Sequence, residues 1–191
     1  MEVDEHRGYT VIQRRMDGSV NFAQNYSTYR RGFGFLNGEY WIGLDRINQL
    51  TQTPYQRNTS LRITMCTIDG ECAEARYDYF KVLSAKFWYK AHIMGYDSAS
   101  TAGDALGDEA DANRTAHLQR FSTFDFDSDR SRDNCARLSF SGWWHNRCWF
   151  ANPNGRYHPN AVSDWKAIHW LPWTNRSLEY IEMMVYNGML V

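Results

Sequence analysis

Residues 9–15 (YTVIQRR) alternate between apolar and polar positions and are β-rich, which predicts a strand. Residues 61–66 and 73–83 alternate in the same way and read as the two arms of a hairpin. Residues 87–94 read as a further strand and Tyr180–Tyr186 as the last one. Helical spacing occurs twice. Tyr26, Tyr29 and Arg30 fall on a short helix over 25–31, stopped by the glycines of Gly32-Phe-Gly34. Tyr40, Ile42, Ile47 and Leu50 fall near one face of a second helix over 39–50, interrupted or started late by Gly43. Strands with two early helices predict an antiparallel sheet with helices on one side. Residues 96–173 carry no long periodic segment. Gly, Asp, Asn and Ser recur there among persistent aromatics, so this half needs staples: a disulfide, buried rings or a metal.

Composition limits the possibilities. A chain of 191 residues with 16% aromatics (8 Trp, 12 Tyr, 10 Phe) can bury a sizeable core, which excludes disorder and fits one domain. The 21 basic and 22 acidic residues nearly cancel, so no excess charge points to nucleic acid or to an anionic membrane. No apolar run approaches the ~20 residues of a membrane span. The segment MEVDEHRGYT has no apolar stretch of the kind a signal peptide needs, and none is expected there.

The four cysteines are spaced C-x5-C and C-x12-C, without the C-x2-C knuckle of a zinc or redox site. Two local disulfides are expected instead. A loop of Ile68, Asp69 and Gly70, with Gly70 left-handed, pairs Thr67 with Glu71 and sets Cys66 opposite Cys72. Cys135 and Cys148 close the second loop, a bond typically worth about 2–4 kcal/mol. Asn25, Asn58, Asn113 and Asn175 each open an N-x-S/T sequon. Disulfides and sequons together point to secretion.

Asp125, Asp127, Asp129 and Asp133 stand at alternate positions, with Ser131 between the last two. Alternating oxygens on a curved loop can serve a hard cation such as Ca2+. An EF-hand is excluded, because Arg130 holds the sixth position and Ala136 the twelfth. An exposed acidic turn with aspartate caps is the other reading. The direct run into Cys135, which anchors one end, favours the metal. No H-E-x-x-H, dinucleotide fingerprint, phosphate-binding loop or G-x-S-x-G elbow occurs, so no catalytic residue is assigned and an enzyme is not expected. The six histidines read as ordinary polar or half-buried side chains.

Ordered segments resemble one family. Residues 9–22, Gly32-Phe-Gly34, 38–45, 101–106, 121–129, Asn134-Cys-Ala136, Gly142-Trp-Trp144, Asn154-Gly-Arg-Tyr157 and Ser177-Leu178 with Met183-Met184 are similar to the fibrinogen-like C-terminal domain, from about residue 8 to 186. The resemblance implies an α+β fold: a twisted antiparallel sheet with short helices, and a loop-rich calcium-binding lobe. It implies one fibrinogen-like domain over 1–191 without the usual N-terminal lobe. A sheet and helix region would span about 1–95 and the calcium and ligand lobe about 96–191, with the final strand returning to the sheet. Asp127 and Asp129 would give side-chain oxygens, and Ser131 and Asp133 backbone carbonyls. Cys135 and Cys148 match the family's lobe disulfide, whereas Cys66 and Cys72 are extra to the common pattern.

In lectin members such as ficolins and tachylectins, the calcium site supports a pocket for N-acetyl groups beside a cis peptide bond, here Arg147–Cys148. The pocket positions carried over are Ser139, Arg147, Cys148, Trp149 and Trp165. Ser139 stands where the lectins have a tyrosine and Trp149 where they have a histidine. The expected function is a secreted, calcium-dependent recognition domain binding glycans or acetylated ligands in innate immunity. The alternative is a module that docks a protein receptor or matrix protein, as in angiopoietins or tenascins. Family members are often multimerised by segments outside this domain, so a multimeric full-length parent is expected.

Overall fold

The computed structural model describes residues 8–52 and 58–186. In chain order the elements are β1 (Thr10–Arg15), α1 (Tyr26–Arg31), β2 (Phe33–Gly34), β3 (Tyr40–Trp41), α2 (Leu44–Thr51), β4 (Ser60–Cys66) and β5 (Cys72–Val82). A 3-10 turn (Ala85–Phe87), β6 (Ala91–Tyr96), α3 (Cys135–Ser139) and β7 (Tyr180–Tyr186) follow. The strands form one seven-stranded sheet in the order β2-β3-β1-β7-β4-β5-β6. Every pairing is antiparallel.

Period-two patterning sets the register. In β4 the inward set is Leu61, Ile63 and Met65, and in β7 it is Ile181, Met183 and Val185, all buried. A one-residue slip would turn each set to solvent. Among the described residues the last strand, β7, lies between β1 and β4 and makes Ile63 face Met183. The α+β, antiparallel expectation therefore holds. At the hairpin tip Thr67 N–H donates to Glu71 O at 2.9 Å and Gly70 takes φ 84°, with Cys66 bonded to Cys72.

The Asn25 side chain caps α1 by accepting from Thr28 N at 2.8 Å, and Gly32 ends the helix. The helix expected over 39–50 starts late: Tyr40–Trp41 is a short strand and α2 begins after Gly43. Gly32 (φ 96°) and Gly43 (φ 108°) let two backbones cross. A Cβ on Gly32 would stand 2.5 Å from Ile42 O, and one on Gly43 2.8 Å from Arg31 O. The strand expected over 87–94 is corrected. Trp88 and Tyr89 are left-handed (φ 52° and 49°), and pairing starts at Ala91. The apolar pattern there is met instead by burying Tyr89, whose carbonyl accepts Trp144 Nε1 at 2.8 Å.

An aromatic cluster ties the irregular half to the sheet. Tyr29 packs on Trp41 (5.5 Å between ring centroids) and Phe121 (5.1 Å), and Trp144 packs on Phe121 (5.2 Å) and Trp143 (4.9 Å). Such contacts add about 0.5–1.5 kcal/mol per pair beyond burial. Glu39 makes a second tie. Its Oε1 accepts from Arg15 Nε (3.1 Å), Met16 N (2.9 Å) and Gly18 N (3.0 Å), and its Oε2 from Val20 N (3.0 Å). Burial pushes its carboxyl pKa up, but the Arg15 charge and these N–H donors outweigh it and hold the group below its ordinary value. Arg15 in turn donates to Gly155 O in the lobe.

Candidate functional site

The acidic loop is held from both ends. Ser122 and Trp143 exchange backbone hydrogen bonds (2.9 and 3.1 Å) where the chain enters it. Cys135 opens α3, whose cap Asn134 accepts from Arg137 N at 2.7 Å, and is bonded to Cys148. Between these ends the chain curls through side-chain turns. Ser131 N donates to Asp129 Oδ1 (2.9 Å), Asp133 N to Ser131 Oγ (3.3 Å) and Asp129 N to Asp127 Oδ1 (3.3 Å). Cys135 N donates to Asp129 Oδ2 at 2.8 Å.

Burial pushes the Asp129 carboxyl up to about 6. Two backbone N–H donors act against this, and the neighbouring Asp127 charge adds to it. Asp125 serves a different end: its Oδ1 accepts Tyr26 N (3.0 Å) and Thr123 Oγ1 (2.7 Å), fastening the loop to α1. Among the described residues no ion pair engages any of these aspartates, and no cluster of three His, Cys, Asp or Glu side chains converges. What the loop offers is two adjacent carboxylates without a counter-cation, plus hydroxyl and carbonyl oxygens. This all-oxygen donor set fits a hard cation and offers no nitrogen or sulfur ligand.

The carried-over pocket residues divide into two groups. Cys148, Trp149 and Trp165 come together. The Trp149 and Trp165 rings stack at 5.2 Å with planes 15° apart, and Trp165 is 46% exposed. The Arg147–Cys148 peptide bond is cis. Arg147 N donates to Asn113 O (3.0 Å) and Asn146 N to Cys148 O (2.7 Å), while its side chain is exposed. Among the described residues the Cys148 and Trp149 N–H groups meet no backbone acceptor. Ser139 does not reach the surface. It is fully buried, with Oγ donating to Cys135 O at 2.8 Å and meeting Ser141 Oγ at 2.8 Å. Exchanging an aromatic wall for serine leaves a small residue that closes α3 instead of lining a pocket.

Two histidines sit beneath the tryptophans. His145 lies 5.8 Å and His169 6.4 Å from the Trp149 ring, measured between centroids, and both are buried. His145 Nε2 lies 3.1 Å from Ser141 O and His169 Nδ1 3.0 Å from Ala167 O. These contacts fix both neutral tautomers, with the other ring nitrogen as an acceptor. Burial lowers both imidazoles to about 4. No sequence spacing pointed to them, because the chain between folds without periodicity.

Beside the stacked pair, Lys166 Nζ lies 4.9 Å from the Trp165 ring, and the Arg156 guanidinium lies 3.8 Å from the ring of Phe140, itself 40% exposed. The four sequon asparagines are all exposed. No helix among the described residues is long and apolar enough to cross a membrane.

Residues 1–187 match the family described as fibrinogen beta and gamma chains, C-terminal globular domain. Fibrinogen C domain-containing protein 1 of Xenopus tropicalis is 40% identical over 189 residues, which cover 93% of this chain and 38% of the relative. The human fibrinogen alpha chain is 42% identical over 165 residues, covering 82% of this chain and 18% of the relative. This chain thus spans well under half of either protein. Among solved structures, the fibrinogen-like globe domain of human ANGPTL2 superposes with a TM-score of 0.84 at 35% identity, covering 93% of this chain and 79% of that one. Lamprey fibrin D-dimer, complexed with the peptide ligand Gly-His-Arg-Pro-amide, superposes with a TM-score of 0.86 at 31% identity, covering all of this chain and 65% of that one. The chain belongs to the fibrinogen C-terminal globular domain family, a family of recognition and protein-interaction modules.

Proposed function

We propose that this chain is a secreted, calcium-binding recognition domain whose ligand is a glycan or an acetylated group taken at the Trp149–Trp165 rim. The observation that carries the reading is the near-parallel tryptophan pair with one half-exposed indole, beside two N–H donors at Cys148 and Trp149 that meet no backbone acceptor among the described residues. A flat aromatic face packs against the C–H face of a sugar or an acetyl methyl, and a fixed N–H donates to the carbonyl oxygen. Asp127 and Asp129, with the carbonyls of Ser131 and Asp133, would hold Ca2+. The ion would supply charge that fixes the loop and its disulfide-linked neighbour. Two disulfides and exposed sequons support an oxidising, extracellular setting.

A protein partner is the second reading. Leu138 and Phe140, exposed at α3, favour it, and the lamprey relative's ligand is a peptide. A glycan array probed with calcium and again with chelator separates the two. Calcium-dependent signal on acetylated glycans supports the first reading. A blank array with specific capture of a purified receptor ectodomain overturns it in favour of the second.

A further inference from the structure

A cavity of about 290 Å³ lies between the segment that follows the 3-10 turn and the back of the acidic loop. Its walls carry Lys90, Arg120 and Arg130, together with Leu118, Gln119 and Ser128. Two of the cations are set by one short ladder: Leu118 N donates to Ala91 O (2.8 Å), Ala91 N to Gln119 O (2.9 Å) and Phe121 N to Trp88 O (3.0 Å). This ladder places Lys90 and Arg120 on neighbouring strands of backbone. Arg130 comes from the opposite wall, where its N–H donates to Asn146 O at 3.1 Å.

None of the three forms an ion pair among the described residues. The Arg120 guanidinium is steadied on the Trp88 ring at 4.3 Å. The one carboxylate in the wall, Asp129, is turned to the N–H groups of Ser131 and Cys135. Like charges gathered without a counter-ion are destabilising, and an oxyanion between them reverses the sign of that term.

Lys90, Arg120 and Arg130 line one compact recess. That geometry suits a single tetrahedral group and suits neither a nucleic-acid backbone nor a membrane surface. Leu118, 38% exposed, adds an apolar strip. We propose that this recess binds a saccharide bearing a sulfate or phosphate ester, with Lys90, Arg120 and Arg130 on the ester oxygens and Leu118 against the sugar ring. Guanidinium forks match such oxyanions in shape as well as charge. The site is separate from the Trp149–Trp165 rim and does not depend on it, while its Ser128–Arg130 wall belongs to the loop proposed to hold calcium.

The test is an amide-resolved NMR titration of the folded chain, in calcium and again in EDTA, with glucose 6-sulfate, glucose 6-phosphate, glucose and inorganic sulfate. None of these probes carries an acetyl group. The expected result is saturable shifts at Lys90, Leu118–Arg120 and Ser128–Arg130 with one or both esters, and none with glucose. The ester that binds identifies the source. Arg120→Gln with Arg130→Gln should weaken binding about tenfold, as should roughly 0.5 M salt, while Trp165→Ala leaves it unchanged. A Lys90→Gln, Arg130→Gln pair, which leaves the stacked Arg120 in place, guards against misfolding. Equal binding of glucose, or an affinity indifferent to both charge variants, overturns the proposal. So does inorganic sulfate binding as tightly as the sugar esters, which marks an adventitious ion only.

Discussion

Replacing Glu39 by alanine removes a buried ion pair and several backbone hydrogen bonds in one exchange. The carboxylate is fully buried, pairs with an arginine that is 2% exposed and accepts from the N–H groups of Met16, Gly18 and Val20. Breaking a buried pair from one side costs about 3–5 kcal/mol because the remaining charge is stranded. Water entering the vacated space re-solvates part of the backbone, so a total of about 5 kcal/mol is expected. For a chain of this length that lowers Tm by roughly 10–20 °C. Urea unfolding of the parent, Glu39→Ala, Arg15→Met and the double variant measures it. The double variant should cost roughly 3 kcal/mol less than the sum of the singles, because neither charge is then stranded. Arg15 also donates to Gly155 O, so Arg15→Met should lower the stability of the lobe as well. A loss under about 1 kcal/mol for Glu39→Ala, or strict additivity, would refute the reasoning.

Two further outcomes are expected. Saturating calcium at about 100 times Kd should stabilise the parent by about 2.7 kcal/mol, seen as a rise in Tm of several degrees. Asp127→Ala with Asp129→Ala should abolish that rise, and the milder Asp127→Asn should reduce it; an unchanged calcium response in the double variant removes these residues from the metal site. His145 and His169 have folded-state pKa values lowered by burial to about 4, below the unfolded value near 6.5. Their contribution is therefore complete above pH 6.5 and is lost as pH falls towards 4. From pH 7 to pH 5 the pair should cost about 4 kcal/mol in denaturant unfolding, and a His145→Gln, His169→Gln variant should lose about that much of the dependence. A parent whose stability is flat across that window would contradict neutral, buried imidazoles.

What the sequence revealed follows the range of the forces involved. The hairpin tip at Ile68–Asp69–Gly70 and the glycine stop at Gly32 are local devices, and their residue types state them. β4 and β7 are half-buried, so their alternation is clean. By contrast β2 and β3 are two residues each and exist only because β1 pairs with β3. The segment 87–94 deceived the periodicity, since a buried Tyr89 serves a left-handed turn as well as it serves a strand. The disulfides form as expected, Cys66–Cys72 at the hairpin tip and Cys135–Cys148 in the lobe, where the acidic spacing was legible too. The burial of Ser139, the histidines beneath Trp149 and the gathering of Lys90, Arg120 and Arg130 were not. Each depends on which irregular segment folds against which, and an aperiodic chain carries no short-range record of that.

The recognition rim is tested most directly by its own fluorescence. Trp149 and Trp165 are stacked in the free protein, so a ligand seated on the exposed indole should change their emission. Titration with N-acetylglucosamine in calcium should give a saturable change. Its affinity should fall about tenfold, ~1.4 kcal/mol, in chelator and in Trp165→Ala with Tm retained. An identical titration curve in chelator and in Trp165→Ala, or no saturable change in the parent, would contradict the account.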